Sequence, residues 1–169
     1  ATLIKDFGVR HIDEDILARL EKRNKKVHYF LRRKIFFAHM YVDTILDEAE
    51  KGNPIYLYTG RAPSGPVHLG YLVPWMFTKW LQDTFDATLL FQIPDEEKFL
   101  FKDNLTLDET KEWAYENILD IIALGFNPKK TKIFIDTEYA GHLYKHACQI
   151  AKTVPCSTAK ALFGFDNSI

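Results

Sequence analysis

The sequence predicts an α/β fold: half of a doubly wound parallel sheet, carried behind an N-terminal helical appendage. Three observations carry this. From residue 54 onward the segments run strand, helix, strand, helix, strand, the order in which crossover helices join parallel strands. The first strand enters a loop rich in glycine and proline, TGRAPSGP. Before residue 53 no such alternation exists. Ligands of doubly wound sheets sit beyond the carboxyl ends of the strands. In this chain that edge is 59–61, 92–97 and 136–138.

The elements are justified in order. Asp13 reads as an N-cap, with Ile12 and Leu17 as a hydrophobic staple around it. Ile16, Leu17 and Leu20 mark one face of a short helix ending near Lys22. Residues 28–39, HYFLRRKIFFAH, mix aromatics with Arg32, Arg33 and Lys34 and receive no assignment. A helix over 41–51 is closed by Gly52 in the C′ position. A strand over 54–59 leads to a helix over 68–84, whose Pro74 removes the bond to the Gly70 carbonyl and should kink its first turns. Then come a strand over 88–93 and a short polar-aromatic helix over 95–102. Thr106 and Glu109 form a capping box for a helix over 107–124, which Gly125 ends. A strand over 132–136 and a helix over 142–153 complete the pattern. Three strands are half of a mononucleotide-binding, Rossmann-like fold, so the chain reads as the N-terminal half of a longer protein.

Composition narrows the classes. The 169 residues suit one domain with an appendage; 47% hydrophobic residues support a packed core, and 27% charged residues are ordinary for a soluble protein. Net charge is −1, which by itself predicts no polyanion partner. Residues 1–34 nevertheless hold ten Lys/Arg against five Asp/Glu. That basic end can meet RNA phosphates; a solvated helix face accounts for it equally well. Two cysteines without metal-ligand spacing predict a reduced, intracellular protein, with Cys148 packed inside. No apolar run approaches the roughly 18–20 residues of a membrane span, so the expected location is the cytoplasm, with no membrane partner.

The loop after the first strand presents free backbone N–H groups and the positive end of a helix dipole, a ready phosphate site. Arg61 and His68 add side-chain donors at its mouth. It is neither a Walker A loop nor a dinucleotide fingerprint, since no Gly-Lys-Ser/Thr and no G-x-G-x-x-G occurs there. It has His68-Leu69-Gly70-Tyr71 at a helix start. The imidazole is expected to project from the first helical turn toward the phosphates, with Gly70 bare where an adenine ring lies on the backbone. A histidine in such a place is also commonly a cap. Tyr58 reads equally well as a core strand aromatic, and Glu97 and Lys98 as a solvated turn. Gln92 needs partners, because it ends an apolar strand. Trp75 and Trp80 fall on the aromatic side of their helix and are expected in the core.

The blocks YLYTGR (56–61), FTKWLQD (77–83), DEEKFLFK (95–102), LTLD (105–108), LDIIALGF (119–126) and STAKALFGF (157–165), with DFGVRHID and FLRRKIFFAH before them, together resemble eukaryotic-type tryptophanyl-tRNA synthetase, a class I aminoacyl-tRNA synthetase. The resemblance implies activation of tryptophan by ATP and Mg²⁺, transfer to tRNA(Trp), and a homodimer. It implies three regions: an appendage over 1–52, a nucleotide-binding half over 53–137, and the start of a connective, dimer-forming insertion over 138–169. It implies ATP contacts at Thr59, Gly60, Arg61, His68, Gly70 and Tyr71, and amino-acid contacts at Tyr58, Gln92, Glu97 and Lys98. His68, Lys98 and Arg61 are the implied catalytic donors, and no protein ligands for a metal are identified.

Two departures follow. Tyr71 stands where the family's H-x-G-H pattern has its second histidine, so a neutral phenol replaces an imidazole beside the phosphates; tyrosine there is reminiscent of some tyrosyl-tRNA synthetases. The lysine-rich loop that clamps the outer phosphates in this class is not among the 169 residues, so the chain by itself is expected not to aminoacylate. Tyrosine–tRNA ligase, and a non-catalytic nucleotide-binding or dimerising fragment, are the competing readings.

Overall fold

Asp13 starts the first helix as its residue type predicts: its Oδ1 accepts from the Ile16 N–H at 2.9 Å. The computed structural model describes residues 8–164; Asp6 and Phe7, and the chain after Gly164, lie outside the described residues. Helix α1 is Glu14–Asn24, two residues longer than expected, and ends on Lys25 in the left-handed region. Helices α2, Tyr29–Arg32, and α3, Val42–Glu50, follow. Two short strands that the sequence did not betray, β1 at Arg10–His11 and β2 at Ala38–His39, pair antiparallel. Gly52, at φ +85°, closes α3 with its N–H on the Ala49 carbonyl at 3.2 Å.

Three longer strands form a parallel sheet in the order β3 (Tyr56–Gly60), β4 (Thr88–Ile93), β5 (Thr131–Ile135). Helix α4 is Leu69–Phe85, α5 is Asp95–Phe101 and α6 is Leu107–Ala123. Helix α7 is Asp136–Thr153 and α8 is Cys156–Phe163. The sheet order is that of the expected half of a doubly wound fold. The capping box is present as expected: Thr106 N–H donates to Glu109 Oε2 at 2.8 Å, and Glu109 N–H to Thr106 Oγ1 at 3.2 Å. Pro74 sits inside an unbroken α4, and Thr78 Oγ1 donates to its carbonyl at 2.9 Å.

The described residues fall into two units. One comprises residues up to Thr59 with Val67–Leu90 and Asp120–Lys132. Its core joins Ile16, Leu20, Leu31 and the fully buried Leu46, with Ile12, Leu17, Phe77, Trp80 and Phe85 packed on them; each such buried aliphatic side chain contributes roughly 2 kcal/mol. Phe36 stacks on Phe77 at 4.5 Å and Phe77 on Trp80 at 5.6 Å, so the unassigned aromatic stretch is the one that packs on α4. Trp75 is buried, as expected. Arg19 links α1 to α3, its Nε on Glu50 at 2.9 Å and Nη2 on Asp47 at 2.6 Å. Gln82, 2% exposed, is satisfied at both ends: Nε2 donates to Thr131 Oγ1 and Oε1 accepts from the Asn127 N–H, each at 2.9 Å.

The other unit comprises Gly60–Pro66, Phe91–Leu119 and the residues from Ile133 on. Phe91, Ile93, Ala114 and Ile135 are among its buried apolar residues, and Thr110 and Asn117 are buried too. Helix α7 starts at residue 136, six positions before the expected 142. The reason is tertiary: Asp95, fully buried in α5, caps it by accepting from the Thr137 N–H at 3.1 Å and the Thr137 hydroxyl at 2.5 Å. Glu138 ties α7 to α6, accepting from Tyr115 Oη at 2.6 Å and pairing with Lys111 at 2.9 Å. Cys148 is exposed rather than packed, because it lies on a solvent-facing side of α7; Cys148 and Cys156 are both free thiols. No helix among the described residues is long and apolar enough to cross a membrane.

Candidate functional site

Of the residues singled out in the sequence, Tyr58, Thr59, His68, Gly70 and Tyr71 belong to the first unit, and Gly60, Arg61, Gln92, Glu97 and Lys98 to the second.

In the first unit, Tyr58 follows the alternation of β3 and is 68% exposed, so it is not a core aromatic. His68 stands one residue outside α4 as its N-cap, not within its first turn. Its Nδ1 accepts from the Gly70 N–H at 3.2 Å, which fixes the proton of the neutral ring on Nε2. The imidazole therefore caps the helix with one nitrogen and keeps an N–H donor on the other. At Gly70 a Cβ would lie 2.9 Å from Cε1 of the same imidazole, so the cap itself requires a bare position there. Tyr71 packs its ring 4.3 Å from His68 and stacks on Trp75 at 5.8 Å, so the phenol is held by a buried indole.

In the second unit, the loop after β3 is built around Arg61, which is 7% exposed. Its Nε donates to Asn117 Oδ1 at 2.5 Å and its Nη2 to the Gly65 carbonyl at 3.2 Å, while Asn117 Nδ2 also donates to that carbonyl at 3.0 Å. The guanidinium thus braces the glycine-proline loop from within. Gly60 passes so close to β4 that a Cβ would stand 2.7 Å from the Gln92 carbonyl, the oxygen that also accepts from the Arg61 N–H at 3.0 Å.

At the end of β4, Gln92 Nε2 donates to Asp136 Oδ2, the partner its half-buried amide required. Glu96 lies beside them. Burial, with the charges of Asp136 and Asp95 adding to it, pushes its carboxyl up to about 7. Asp136 is also pushed up, first by burial, with Gln92 pulling the other way. Glu96 Oε2 and Asp136 Oδ1 are buried without a hydrogen-bond partner among the described residues. A proton on Glu96 can bridge to Asp136, whose carboxyl a hydrogen bond from Glu96 helps to hold down, and an added cationic or hydrogen-bond-donating group suits the same oxygens. Glu97 and Lys98 pair with each other at 2.8 Å. Asp95, Glu96, Asp136 and Asn117 were not named as functional from the sequence. The signal for three of them was present: acidic residues directly after two buried apolar strands, at the carboxyl edge. Among the described residues no cluster of His, Cys, Asp or Glu could hold a metal ion.

The family model of tRNA synthetases class I (W and Y) matches residues 50–168. A tryptophan–tRNA ligase of Pyrococcus furiosus is 51% identical over 164 residues, covering 96% of this chain and 42% of the relative. The crystal structure of Plasmodium falciparum tryptophanyl-tRNA synthetase superposes with a TM-score of 0.93 at 43% identity, over 99% of this chain and 47% of that one. Tryptophanyl-tRNA synthetase from Trypanosoma brucei gives 0.91 at 47% identity, over 98% and 51%. The chain thus spans less than half the length of the curated relatives it matches.

Proposed function

The chain belongs to the class I tRNA synthetases of the tryptophan and tyrosine group, and from that premise we propose that it is part of a tryptophan–tRNA ligase. The observation that carries this is the identity of about half its residues, over almost its whole length, to proteins named tryptophan–tRNA ligase. In the reaction, a carboxylate oxygen of tryptophan bonds to the α-phosphorus of ATP, supplied as its Mg²⁺ complex. The bond to the bridging oxygen breaks and pyrophosphate leaves; a terminal ribose hydroxyl of tRNA(Trp) then bonds to the acyl carbon, the acyl–phosphate bond breaks and AMP leaves.

The nucleophile is already ionised, so catalysis is positioning and stabilisation of charge growing on the phosphoryl oxygens. Thr59, Gly60, His68, Gly70 and Tyr71 bind ATP, with the Nε2 donor of His68 turned to the phosphates. Arg61 acts through the loop it braces. Tyr58, Gln92, Glu97 and Lys98 bind tryptophan, its ammonium near the unpartnered acceptors of Asp136 and Glu96, with Lys98 near the carboxylate and α-phosphate. The division into 1–52, 53–137 and 138–169 belongs to the same proposal, as does a cytoplasmic location. The exposed Tyr139, Tyr144, Ile150, Leu162 and Phe163 on α7 and α8 support a homodimer; a monomeric mass by light scattering at high concentration argues against it.

The test is ATP–pyrophosphate exchange by a chimera in which this chain replaces the matching part of the Pyrococcus furiosus relative. Exchange with tryptophan and none with tyrosine is expected; exchange with tyrosine alone would establish tyrosine–tRNA ligase, the second reading, which the shared family model keeps open. The 169 residues alone should show no exchange, since no lysine-rich signature loop occurs in them.

A further inference from the structure

Residues 1–34 carry an excess of positive charge, and part of it stands around a cleft rather than along one solvated helix face. The cleft, of about 480 Å³, lies in the first unit, and its size is that of a ligand site. His11, Arg32, Lys34, Phe36 and Phe37 are among its walls, and no carboxylate is. Arg32 and Lys34 are exposed, and neither side chain hydrogen-bonds or ion-pairs with another described residue. Phe37 beside them is 44% exposed, with the His11 ring 6.3 Å away. The backbone at Lys34 adds a second observation. Its N–H donates to the Leu31 carbonyl at 2.9 Å, and the Ile35 N–H donates to the Phe30 carbonyl at 2.8 Å. Those two bonds close a helix end around one left-handed residue, usually glycine. Here that residue is Lys34, at φ +54°. A Cβ is strained in such backbone, so the turn would close better on glycine. What lysine adds is a cation at the rim of the cleft.

We propose that this cleft holds an unpaired nucleotide in the 3′ strand of the tRNA, with its base on Phe37 and the flanking phosphates on Arg32 and Lys34. The proposal rests on the ligase reading given above. Cations without protein partners beside exposed rings suit single-stranded RNA, because rings stack with any base and the cations neutralise phosphates. A purely acidic partner would meet the cations but not the rings. Position favours the acceptor strand. Phe36, in the cleft wall, stacks on Phe77 of α4, the helix that His68 caps. From Phe77 to His68 that helix runs about 14 Å at roughly 1.5 Å per residue. A strand of a few nucleotides spans that distance.

The experiment titrates the 169-residue chain into a 5′-labelled Pyrococcus furiosus tRNA(Trp) transcript and follows fluorescence anisotropy. Salt is held at one stated low concentration, without which such affinities have no meaning. Wild type should bind saturably. A transcript trimmed of its unpaired 3′ nucleotides should bind about tenfold more weakly, the worth of one stacked base. Phe37→Leu, apolar but without a ring, should lose the same factor and no longer distinguish the two transcripts. Lys34→Gly should hold or raise the melting temperature, because glycine suits the left-handed backbone. It should nevertheless weaken binding several-fold and flatten the log–log salt dependence by about 0.7, the worth of one phosphate on a single strand. A merely structural lysine does not give that pair of results. Lys129→Gln, which removes an exposed cation of the same unit outside the cleft, should bind as wild type does. The proposal is overturned if wild type shows no saturable binding or if the trimmed transcript binds as tightly. It is overturned equally if folded Lys34→Gly or Phe37→Leu binds like wild type, or if Lys129→Gln loses as much as Lys34→Gly. Exchange with tryptophan in the wild-type chimera needs no tRNA, so its failure strikes the ligase reading, while these binding measurements judge the cleft.

Discussion

Gly60 has no side chain because the Gln92 carbonyl stands where a Cβ would touch it, at 2.7 Å. Backbone cannot yield as a flexible side chain can, so Gly60→Ala should destabilise the chain by about 1–3 kcal/mol, the usual range for overpacking. Urea denaturation checks this, and an unchanged midpoint would show that the strands can part at no cost. On the proposed function His68 carries two duties on one ring, the observed cap and the phosphate donor, and they can be separated. Asparagine is among the best N-cap residues, so His68→Asn should keep the start of α4 while removing the imidazole donor. In the chimera, exchange should then fall on the order of 10²–10³-fold with the melting temperature held, the loss typical of one preorganised donor. Full activity in that variant would reduce His68 to a cap.

At the level of elements, the boundaries that local chemistry determines were legible and those set from afar were not. Strand β4 occupies 88–93 as expected, and the Thr106–Glu109 capping box needed only its own four residues. The two-residue strands β1 and β2 are too short to show a period. Two helices begin on histidine: Nδ1 of His28 accepts from the Phe30 N–H and that of His68 from the Gly70 N–H, while ahead of α3, whose N-cap is Tyr41, Nδ1 of His39 accepts from the Val42 N–H. At His68 the sequence already allowed a cap, whereas at His28, inside the unassigned 28–39 stretch, the folded backbone reveals the device. The candidate site divides likewise. Its strand ends could be placed from the alternation of elements, but the brace of Arg61 on Asn117 and the bond of Gln92 to Asp136 join residues 56 and 44 positions apart. The missed start of α7 is the same kind of failure, and it is testable. Asp95→Ala should cost about 1–2 kcal/mol, as a lost N-cap does, and should speed hydrogen exchange of the Thr137 amide. Exchange that stays slow would mean that α7 begins without help.

For the whole chain, stability should depend on pH through groups of opposite sign. The Glu96 carboxyl, held up to about 7 in the folded chain against an ordinary 4.5, binds its proton more tightly when folded. Its contribution is complete below pH 4.5 and is lost as pH rises toward 7. Asp136 is shifted in the same direction. His28 is pushed down, chiefly by burial and further by Arg32, so its contribution is complete above its ordinary 6.5 and is lost as pH falls. A single pH curve mixes these effects, whereas the difference between wild type and Glu96→Gln isolates one. Relative to that variant, wild type should lose stability between pH 4.5 and 7 in urea titrations; a flat difference would mean that Glu96 titrates as an ordinary surface carboxyl. The Asp95–Thr137 cap also sets a timetable. Its partners are 42 residues apart, and the donor emerges from the ribosome after the acceptor. The first turn of α7 therefore waits for α5 to dock and should gain protection in the same folding phase as α5, while the second half of α7, far from that carboxylate, is free to coil earlier.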